Sequence, residues 1–450
     1  MMTTSSPSRQ GTGPSRRKTF LATVIGHVIE WFDFAAYALV AVYIGHQFFP
    51  NENESMQLIA TFATFALTFL FRPLGAVVFG PLSDRIGRLK VLALVLLIMS
   101  VATTAIGLLP TYDTIGIAAP ILLVALRCLQ GLSAGGESGS SVAFMLEHSK
   151  PGHRGFGNSW VTFAATVGFM LGSAVAAILA LTLGEQAMND WGWRLPFLVA
   201  GPLGIIGLYI RLKLEDTPDF KALERKGEVS KSPVREVFAY KRELLTTILI
   251  CSMHSAGFYM ILTYLNSYIT TTTDFGSDIA LTGTLVGAAC TLIPIPFLAA
   301  YSDRIGRKPI LISASIAMAV MTLPLFAFIR TSPAAAVIGL AVFGLLLGCV
   351  VSVTLCTTSE IFPARVRGAG FSIGFGVASA AVGGTAPLIA TALYSSTDNV
   401  YAPAGFLIAV CVLGFIGSMI LIDRSREELL VDAAPAIGGD DDTVKVAERV

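Results

Sequence analysis

Charged residues are scarce in this sequence. Only 14% of its 450 residues are charged, whereas 54% are hydrophobic, and the mean hydropathy is +0.71. A water-soluble fold does not need so large an apolar fraction. The composition therefore excludes an ordinary soluble protein and predicts that lipid surrounds most of the chain.

Cysteine is also rare, and features that depend on it are missing. None of the six cysteines has Cys-x-x-Cys spacing, which argues against disulfides and a structural zinc site. A cleavable signal peptide is not expected, because the first apolar segment is too long and carries acidic residues. We expect no metal, no cofactor and no nucleic acid.

Long apolar stretches recur along the whole chain. Each can cross about 30 Å of hydrocarbon as a helix that rises about 1.5 Å per residue. We predict an all-α membrane protein with twelve transmembrane helices, at residues 20–44, 57–80, 90–110, 118–147, 156–183, 193–212, 244–270, 279–300, 308–329, 334–359, 369–394 and 403–423.

Polar stretches divide these helices into two sets of six. Residues 213–243 carry mixed charge and two prolines, and predict a cytoplasmic linker between halves at 20–212 and 244–423. The stretches 1–19 and 424–450 are predicted to be disordered cytoplasmic tails.

Two short charged motifs occur once in each half. Ser-Asp-Arg-Ile-Gly-Arg stands at residues 83–88 and again at 302–307, 219 residues later. Glu…Pro…Arg-Gly begins at Glu147 and again at Glu360. Apolar helices in two related halves, closed by the same charged loops, are typical of a transporter with parallel repeats.

The duplicated motifs predict a gate on the face that they share. We expect Asp84 to cap a neighbouring helix and pair with Arg154, and Asp303 to do likewise with Arg367. Such contacts exist only while that face is closed, so they bias a two-state equilibrium. Some of the arginines can instead serve only to orient the chain. The predicted gating residues are Gly80, Asp84, Arg85, Arg88, Glu147, Arg154, Asp303, Arg304, Arg307, Glu360 and Arg367.

Basic residues predict the orientation of the helices. Of the 31 lysines and arginines, 27 lie in or next to segments on one side, if the N-terminus is cytoplasmic. The positive-inside rule therefore places both termini in the cytoplasm. Trp191 and Trp193 are predicted to belong to an aromatic belt at the outer interface.

The first predicted helix carries a polar stripe. His27, Glu30, Asp33 and Tyr37 follow helical spacing, and Glu30 lies about 15 Å from the start of the helix. Ionisable groups are costly at that depth and are functional candidates. We predict that Glu30, Asp33 and His27 couple protons to transport. The alternative is a structural network in which the carboxylates pair with arginines of other helices.

Two arginines lie within predicted helices. Arg127 shares a helix face with Gln130 and Glu137. If Arg127 approaches a carboxylate, it stabilises the ionised form of that carboxylate and favours release of its proton. A movement that changes this distance would therefore couple proton release to transport. Arg127 can equally bind a solute carboxylate. Arg72, roughly 12 Å from a helix end and followed by Pro73, predicts a cavity-lining or carboxylate-pairing side chain.

Tyrosines follow one another on the seventh predicted helix. Tyr259 and Tyr264 can hold an ammonium group through cation–π contacts, or they can anchor the helix. The predicted solute site comprises Tyr37, Arg72, Gln130, Glu137, Tyr259 and Tyr264.

These motifs resemble those of the major facilitator superfamily. Gly80…Asp84-Arg85 with its repeat at Asp303 resembles the signature loop, and Arg127…Gln130 resembles a fourth-helix motif that the superfamily associates with proton coupling. The antiporter glycine-proline motif is missing from the fifth helix. Residues 30–34, 72–75, 135–137 and 190–197 resemble the metabolite:proton symporter family, although His27 replaces an amide expected there.

The resemblance implies a symporter in the cell membrane that imports a small organic solute with protons by alternating access, and not an enzyme. Charge balance favours a zwitterion such as proline or glycine betaine, because two embedded arginines face three acids, Glu30, Asp33 and Glu137. An organic acid such as 2-oxoglutarate, citrate or shikimate is the alternative. An efflux antiporter and a non-transporting membrane sensor are more remote.

Overall fold

The described part of the chain consists of helices joined by short turns. The computed structural model describes residues 16–51, 53–75, 78–79, 88–135, 142, 145–146, 149–150, 152–212 and 236–427, and no β-strand occurs among them. Most of the predicted linker and both predicted tails lie outside these residues, so the domain boundaries stay predictions.

The described residues of the N-terminal half form six long helices, and the first is bent. A 60° bend at Val40 divides it into two segments. These helices are α1 (Arg16–Leu39 and Ala41–Phe48), α2 (Glu54–Leu70), α3 (Arg88–Leu108), α4 (Ala118–Ala134), α5 (Arg154–Asp190) and α6 (Leu195–Leu212).

The C-terminal half also contains six long helices, and three of them are interrupted. These helices are α7 (Lys241–Tyr259, Met260–Tyr264 and Leu265–Thr272), α8 (Ser277–Leu292 and Pro294–Ile305), α9 (Lys308–Phe328), α10 (Pro333–Glu360), α11 (Ala364–Ala378, Ser379–Gly383 and Ala386–Thr397) and α12 (Ala402–Ile420).

Length and hydropathy fit these helices to a bilayer. Within the described residues, eight of them (α2, α5 and α7 to α12) are long and apolar enough to span a membrane alone, and the bent α1 is a ninth candidate. The apolar helices α3, α4 and α6 complete the twelve that the sequence predicts. The prediction of an all-α, twelve-helix membrane fold is confirmed.

Helix packing repeats between the halves. In the first half α1 packs on α5, α2 on α4, and α3 on α6. In the second half the equivalent pairs are α7 on α11, α8 on α10, and α9 on α12. The halves meet where α5 contacts α8 and where α2 contacts α11, which are also equivalent pairs. The duplicated loops are thus the sequence signature of a duplicated six-helix unit.

Local breaks shape the helices at particular residues. Gly184 has φ 77° inside α5, a conformation that favours glycine, and it marks a kink within this helix. A single π-helical turn interrupts α7 at Met260–Tyr264, and another interrupts α11 at Ser379–Gly383. In α8 the break is at Ile293, because Pro294 lacks the N–H that would continue the helix.

One interfacial prediction is wrong. Trp193 is fully buried and packs edge-on against Phe48, with ring centroids 5.4 Å apart, so it does not face the lipid interface. Trp191 remains exposed. Trp193, although close to a helix end, therefore belongs to the buried core and does not anchor the helix at the interface.

Candidate functional site

A cavity lies between the two halves. Polar groups concentrate on the wall from the first half, whereas the second half contributes mainly apolar and aromatic side chains. The first wall comprises His27, Glu30, Trp31, Arg72, Val142, Val161, Thr162 and Ala165. The second comprises His254, Phe258, Leu355, Phe371 and Phe375.

Two residues of the predicted α1 stripe form a close pair in this cavity. His27 Nδ1 lies 3.3 Å from Glu30 Oε2, and both side chains are buried. Imidazole and carboxylate groups both bind protons, and at this distance a proton could pass between them. The geometry therefore fits a proton-binding pair.

Two acidic residues of the predicted site cannot be placed. The side chain of Asp33 and the whole of Glu137 lie outside the described residues, so their assignment to proton coupling and solute binding stays a prediction. In the described part of the structure the acidic residue on the cavity wall is Glu30.

Arg72 lines the cavity with its guanidinium held between two rings. Its Cζ atom lies 4.6 Å from the ring centroid of Phe34 and 4.5 Å from that of Phe69. Its Nε and Nη2 atoms are buried and make no hydrogen bond to the described residues. Buried charged donors without acceptors are costly, so the site favours an incoming anionic group such as a carboxylate.

Close helix packing places Arg72 at this depth. A Cβ atom on Gly131 would collide with the carbonyl of Thr68, and one on Gly135 would collide with the carbonyl of Arg72 itself. Only glycine lets α4 approach α2 so closely. These two glycines therefore act in helix packing.

Arg127 belongs to a different cluster, which is not part of the cavity wall. Its Nη1 donates to Gln130 Oε1 at 2.9 Å, and Gln130 Nε2 donates to Thr103 Oγ1 at 2.6 Å. The Arg127 Cζ atom lies 3.5 Å from the ring centroid of Tyr37, whose hydroxyl donates to the carbonyl of Thr61. This chain of contacts joins α1, α2, α3 and α4.

The two predicted tyrosines of α7 have different surroundings. Tyr259 packs against Trp31 and Phe69, with centroid distances of 6.3 and 5.0 Å, and so lies behind the cavity wall. Tyr264 donates to the carbonyl of Ala390 at 3.5 Å within the second half. Neither is among the residues that line the cavity, and the roles of Tyr37, Gln130, Tyr259 and Tyr264 in solute binding stay predictions.

Several lining residues were missed by the sequence analysis. Trp31 adjoins Glu30 and packs edge-on against Phe258 at 5.0 Å. His254 was not among the predicted site residues. The signal for Trp31 was available, because tryptophan is the best cation–π partner and stands next to the embedded carboxylate.

At one end of the bundle, charged side chains join the halves. We call it the loop end and define it by Arg154, Asp303, Arg307 and Glu360. Asp303 accepts hydrogen bonds from the backbone N–H groups of Gly155 and Phe156, at 2.8 and 3.1 Å, and so caps α5 from the other half. A carboxylate at a helix N-terminus is favourable both as an acceptor and through the helix dipole.

Ion pairs extend this cap. Arg307 Nη2 lies 2.8 Å from Asp303 Oδ1 and 3.3 Å from Glu360 Oε1. Arg154 of the first half lies 3.6 Å from the same Glu360 oxygen. The described partner of Arg154 is therefore a residue of the other half, where the sequence had suggested Asp84.

The other predicted gating residues either make hydrogen bonds to or from the backbone or lie outside the described part of the chain. The Nε of Arg367, which is buried, donates to the carbonyl of Phe362, and the carbonyl of Arg304 accepts from Arg426. Four further predicted gating residues lie outside the described residues, namely Gly80, Asp84, Arg85 and Glu147. The side chain of Arg88 also lies outside them.

The segment after α12 packs over the loop end. Asp423 Oδ2 accepts from the backbone N–H groups of Arg307 and Lys308 at 2.7 and 2.9 Å, at the start of α9. Burial alone would raise the pKa of Asp423, but hydrogen bonds from Lys308, Ser425 and Arg307 outweigh it and lower the pKa. Farther along, the carbonyl of Glu427 accepts from Arg154.

The halves also touch at the opposite end. The Tyr43 hydroxyl donates to Ser277 Oγ at 3.5 Å, and Phe69 packs directly against Gly384. Contacts between the halves thus exist on both sides of the cavity.

Two equivalent six-helix halves around a central cavity, with separable contacts at each end, define a membrane carrier that works by alternating access. The chain belongs to the major facilitator superfamily. Its sequence matches the family described as Major Facilitator Superfamily over residues 23–295, and the family described as Sugar (and other) transporter over residues 221–423.

Named relatives are similar along most of the chain. It is 38% identical over 428 residues to the proline/betaine transporter of Escherichia coli strain K12, a match covering 92% of this chain and 85% of that one. It is 37% identical over 428 residues to the glycine betaine/proline/ectoine/pipecolic acid transporter OusA of Dickeya dadantii strain 3937, covering 92% and 84%. The chain is therefore a transporter, not an enzyme, as the sequence predicts.

Solved structures have the same fold at low identity. The proton:xylose symporter XylE superposes with a TM-score of 0.72 at 16% identity, covering 92% of this chain and 97% of that one. A partially occluded, inward-open form of XylE from E. coli gives a TM-score of 0.70 at 19% identity, covering 90% and 96%.

Proposed function

We propose that this transporter is a proton-coupled symporter that imports a compact zwitterion of the proline or glycine betaine type. The names of the relatives at 37 and 38% identity support this solute class. The observation that carries the proposal is Arg72, whose buried guanidinium has donors without partners on a cavity wall that also holds Glu30 and aromatic rings.

A zwitterion matches these groups in charge and shape. Its carboxylate would accept from Arg72, because a guanidinium offers two parallel donors to a carboxylate. Its cationic nitrogen would lie near Glu30 and the rings of Trp31 and Phe258, which attract a cation through their faces. Each end of the solute would thus lie near a group of opposite charge.

Proton coupling would act through the carboxylates of α1. Binding or release of a proton at Glu30 would change the charge that the cavity presents to the cationic nitrogen of the solute, and this links proton binding to solute binding. His27, 3.3 Å away, would accept or return that proton. Asp33 and Arg127 complete the proposed coupling set, with Arg127 positioned by Gln130.

An organic acid is the second candidate solute. Arg72, His27 and His254 line the same cavity, and protonated histidines would add positive charge for a second carboxylate. Glu30 opposes this, because a carboxylate on the wall repels a dianion. The zwitterion therefore fits the described charges better.

Uptake into proteoliposomes tests the proposal. Vesicles with an inward proton gradient should accumulate labelled proline or glycine betaine, and citrate or 2-oxoglutarate should compete weakly. Uptake of the acids without the zwitterions would overturn the solute assignment. Uptake that needs no inward proton gradient would overturn symport, and the absence of any solute counterflow would indicate a sensor.

We also propose that the protein lies in the cell membrane with both termini and the loop end in the cytoplasm. The clustering of lysine and arginine on that side supports this orientation. Single cysteines at Asn53, Ser277 and Thr397 should react with an impermeant reagent in intact cells. Cysteines at Gly152 and Gly227 should react only after permeabilisation, and the reverse pattern would refute the orientation.

A further inference from the structure

The cavity wall from the second half is apolar except at one position. Among its described lining residues, His254 is the one side chain that can form hydrogen bonds, and its neighbours on the wall are Phe258, Leu355, Phe371 and Phe375. The first half, in contrast, already supplies a carboxylate and a guanidinium. A single polar group on an otherwise apolar wall calls for a specific explanation.

His254 is buried and lacks a hydrogen-bond partner at one nitrogen. The side chain is buried, its ring packs edge-on 6.0 Å from that of Phe375, and Nδ1 makes no hydrogen bond to the described protein. The next residue, Ser255, bonds to Ser379 at 3.0 Å and ties α7 to α11 at this level. A buried nitrogen without a partner costs free energy, and a bound solute could remove that cost.

The chemistry of the imidazole separates two kinds of zwitterion. A neutral imidazole offers one N–H donor and one lone pair. A secondary ammonium, as in proline or pipecolic acid, has N–H groups that can donate to this lone pair. A quaternary ammonium, as in glycine betaine, has methyl groups only and gains nothing from it.

We propose that His254 determines specificity by accepting a hydrogen bond from solutes that carry an N–H on their cationic nitrogen. The inference rests on the proposed function, and it assigns to the second half a contact that only one solute class makes. Arg72 and the aromatic rings would serve both classes, whereas His254 would favour proline-like over betaine-like solutes.

Two substitutions at His254 test this inference in proteoliposomes of the full-length protein. His254→Leu should lower the ratio of kcat/KM for proline to that for glycine betaine about tenfold, which corresponds to the net worth of one hydrogen bond. His254→Gln retains an acceptor and should keep the ratio within a few-fold of the wild type. Pipecolic acid should follow proline in both variants.

Phe375→Leu is the matched control, because it alters the ring that packs on His254 and removes no hydrogen-bonding group. It should change transport of the two solutes in parallel. A parallel loss in His254→Leu would show that His254 is only structural and would overturn the inference, as would a glutamine variant that behaves like leucine. Wild-type protein that transports neither solute would instead refute the proposed function.

Discussion

Arg72 and Arg127 are both buried within helices of the first half, yet their surroundings differ. Arg127 donates to Gln130, lies over the ring of Tyr37 and takes part in contacts among four helices. Arg72 lies between two phenylalanine rings on the wall of the cavity. One arginine thus joins helices of the first half, whereas the other lines the space between the halves.

The same distinction applies to other polar groups. Asp303 and Asp423 are fully engaged by backbone N–H groups and arginines at the loop end. Glu30 and His254 face the cavity. We therefore expect that altering an internally paired group changes conformational equilibria or stability, and that altering a group left open changes binding or coupling.

The largest effect is expected at Arg72. Arg72→Lys should weaken solute binding by about 100-fold, since hydrogen bonds to charged groups contribute up to about 3 kcal/mol and lysine cannot form the two-pronged contact. Arg127→Lys should keep binding within a few-fold but lose pH-driven uptake. Equilibrium binding by calorimetry distinguishes the two, and equal losses of binding would end the distinction between these arginines.

The next effect concerns the proton. Glu30→Gln should abolish uptake driven by a pH gradient while solute exchange continues, because exchange does not require release of the proton. Asp33→Asn is expected to behave in the same way. Parallel assays of gradient-driven uptake and counterflow measure this, with Glu185→Gln at an exposed position as control. Normal pH-driven uptake in both carboxylate variants would remove the coupling mechanism.

A smaller effect is expected at the loop end. Asp303→Asn removes a charged cap from α5 and a partner from Arg307, so it should destabilise closure of that end by about 1–3 kcal/mol. Transport should slow while equilibrium binding stays within a few-fold, and Asp84→Asn should act alike. Asp278→Asn, exposed at the opposite end, is the control. Loss of binding in either loop variant would contradict a gating role.

The smallest effect is expected at Asp423, outside the membrane. Asp423→Asn should lower stability by about 1 kcal/mol, typical of a lost cap. The pKa of Asp423 is lowered by the fold, so its contribution is present above the pKa of the unfolded chain and is lost as pH falls through the folded value. Thermal unfolding of wild type and variant should differ at neutral pH and converge in acid.

Much of the fold could be predicted because lipid imposes simple rules. A spanning helix must be long and apolar, so counting such stretches was enough to find twelve, and a duplicated Ser-Asp-Arg-Ile-Gly-Arg motif showed the repeat. The burial of Trp193 was not predictable, because interfacial position and core packing give the same residue pattern.

The candidate site was predictable in its charges but not in its geometry. Ionisable residues deep in predicted helices pointed to Glu30, His27 and Arg72, and all three line the cavity. Periodicity within a helix could not separate Arg72 from Arg127, since their surroundings depend on neighbouring helices. Apolar lining residues such as Phe258 and Phe371 carry no signal in a sequence that is rich in apolar residues throughout.

The sequence by itself determined that this protein is a duplicated, twelve-helix membrane carrier with costly ionisable groups at mid-bilayer. The reason is that hydrophobic length, charge asymmetry and repeated motifs act locally along the chain. Only the tertiary structure decided which polar groups are paired and which face the cavity. Residues far apart in sequence are joined where glycines bring α4 against α2 and where α5 contacts α8. Arg72, Glu30 and His254 come to line one cavity through such contacts between helices.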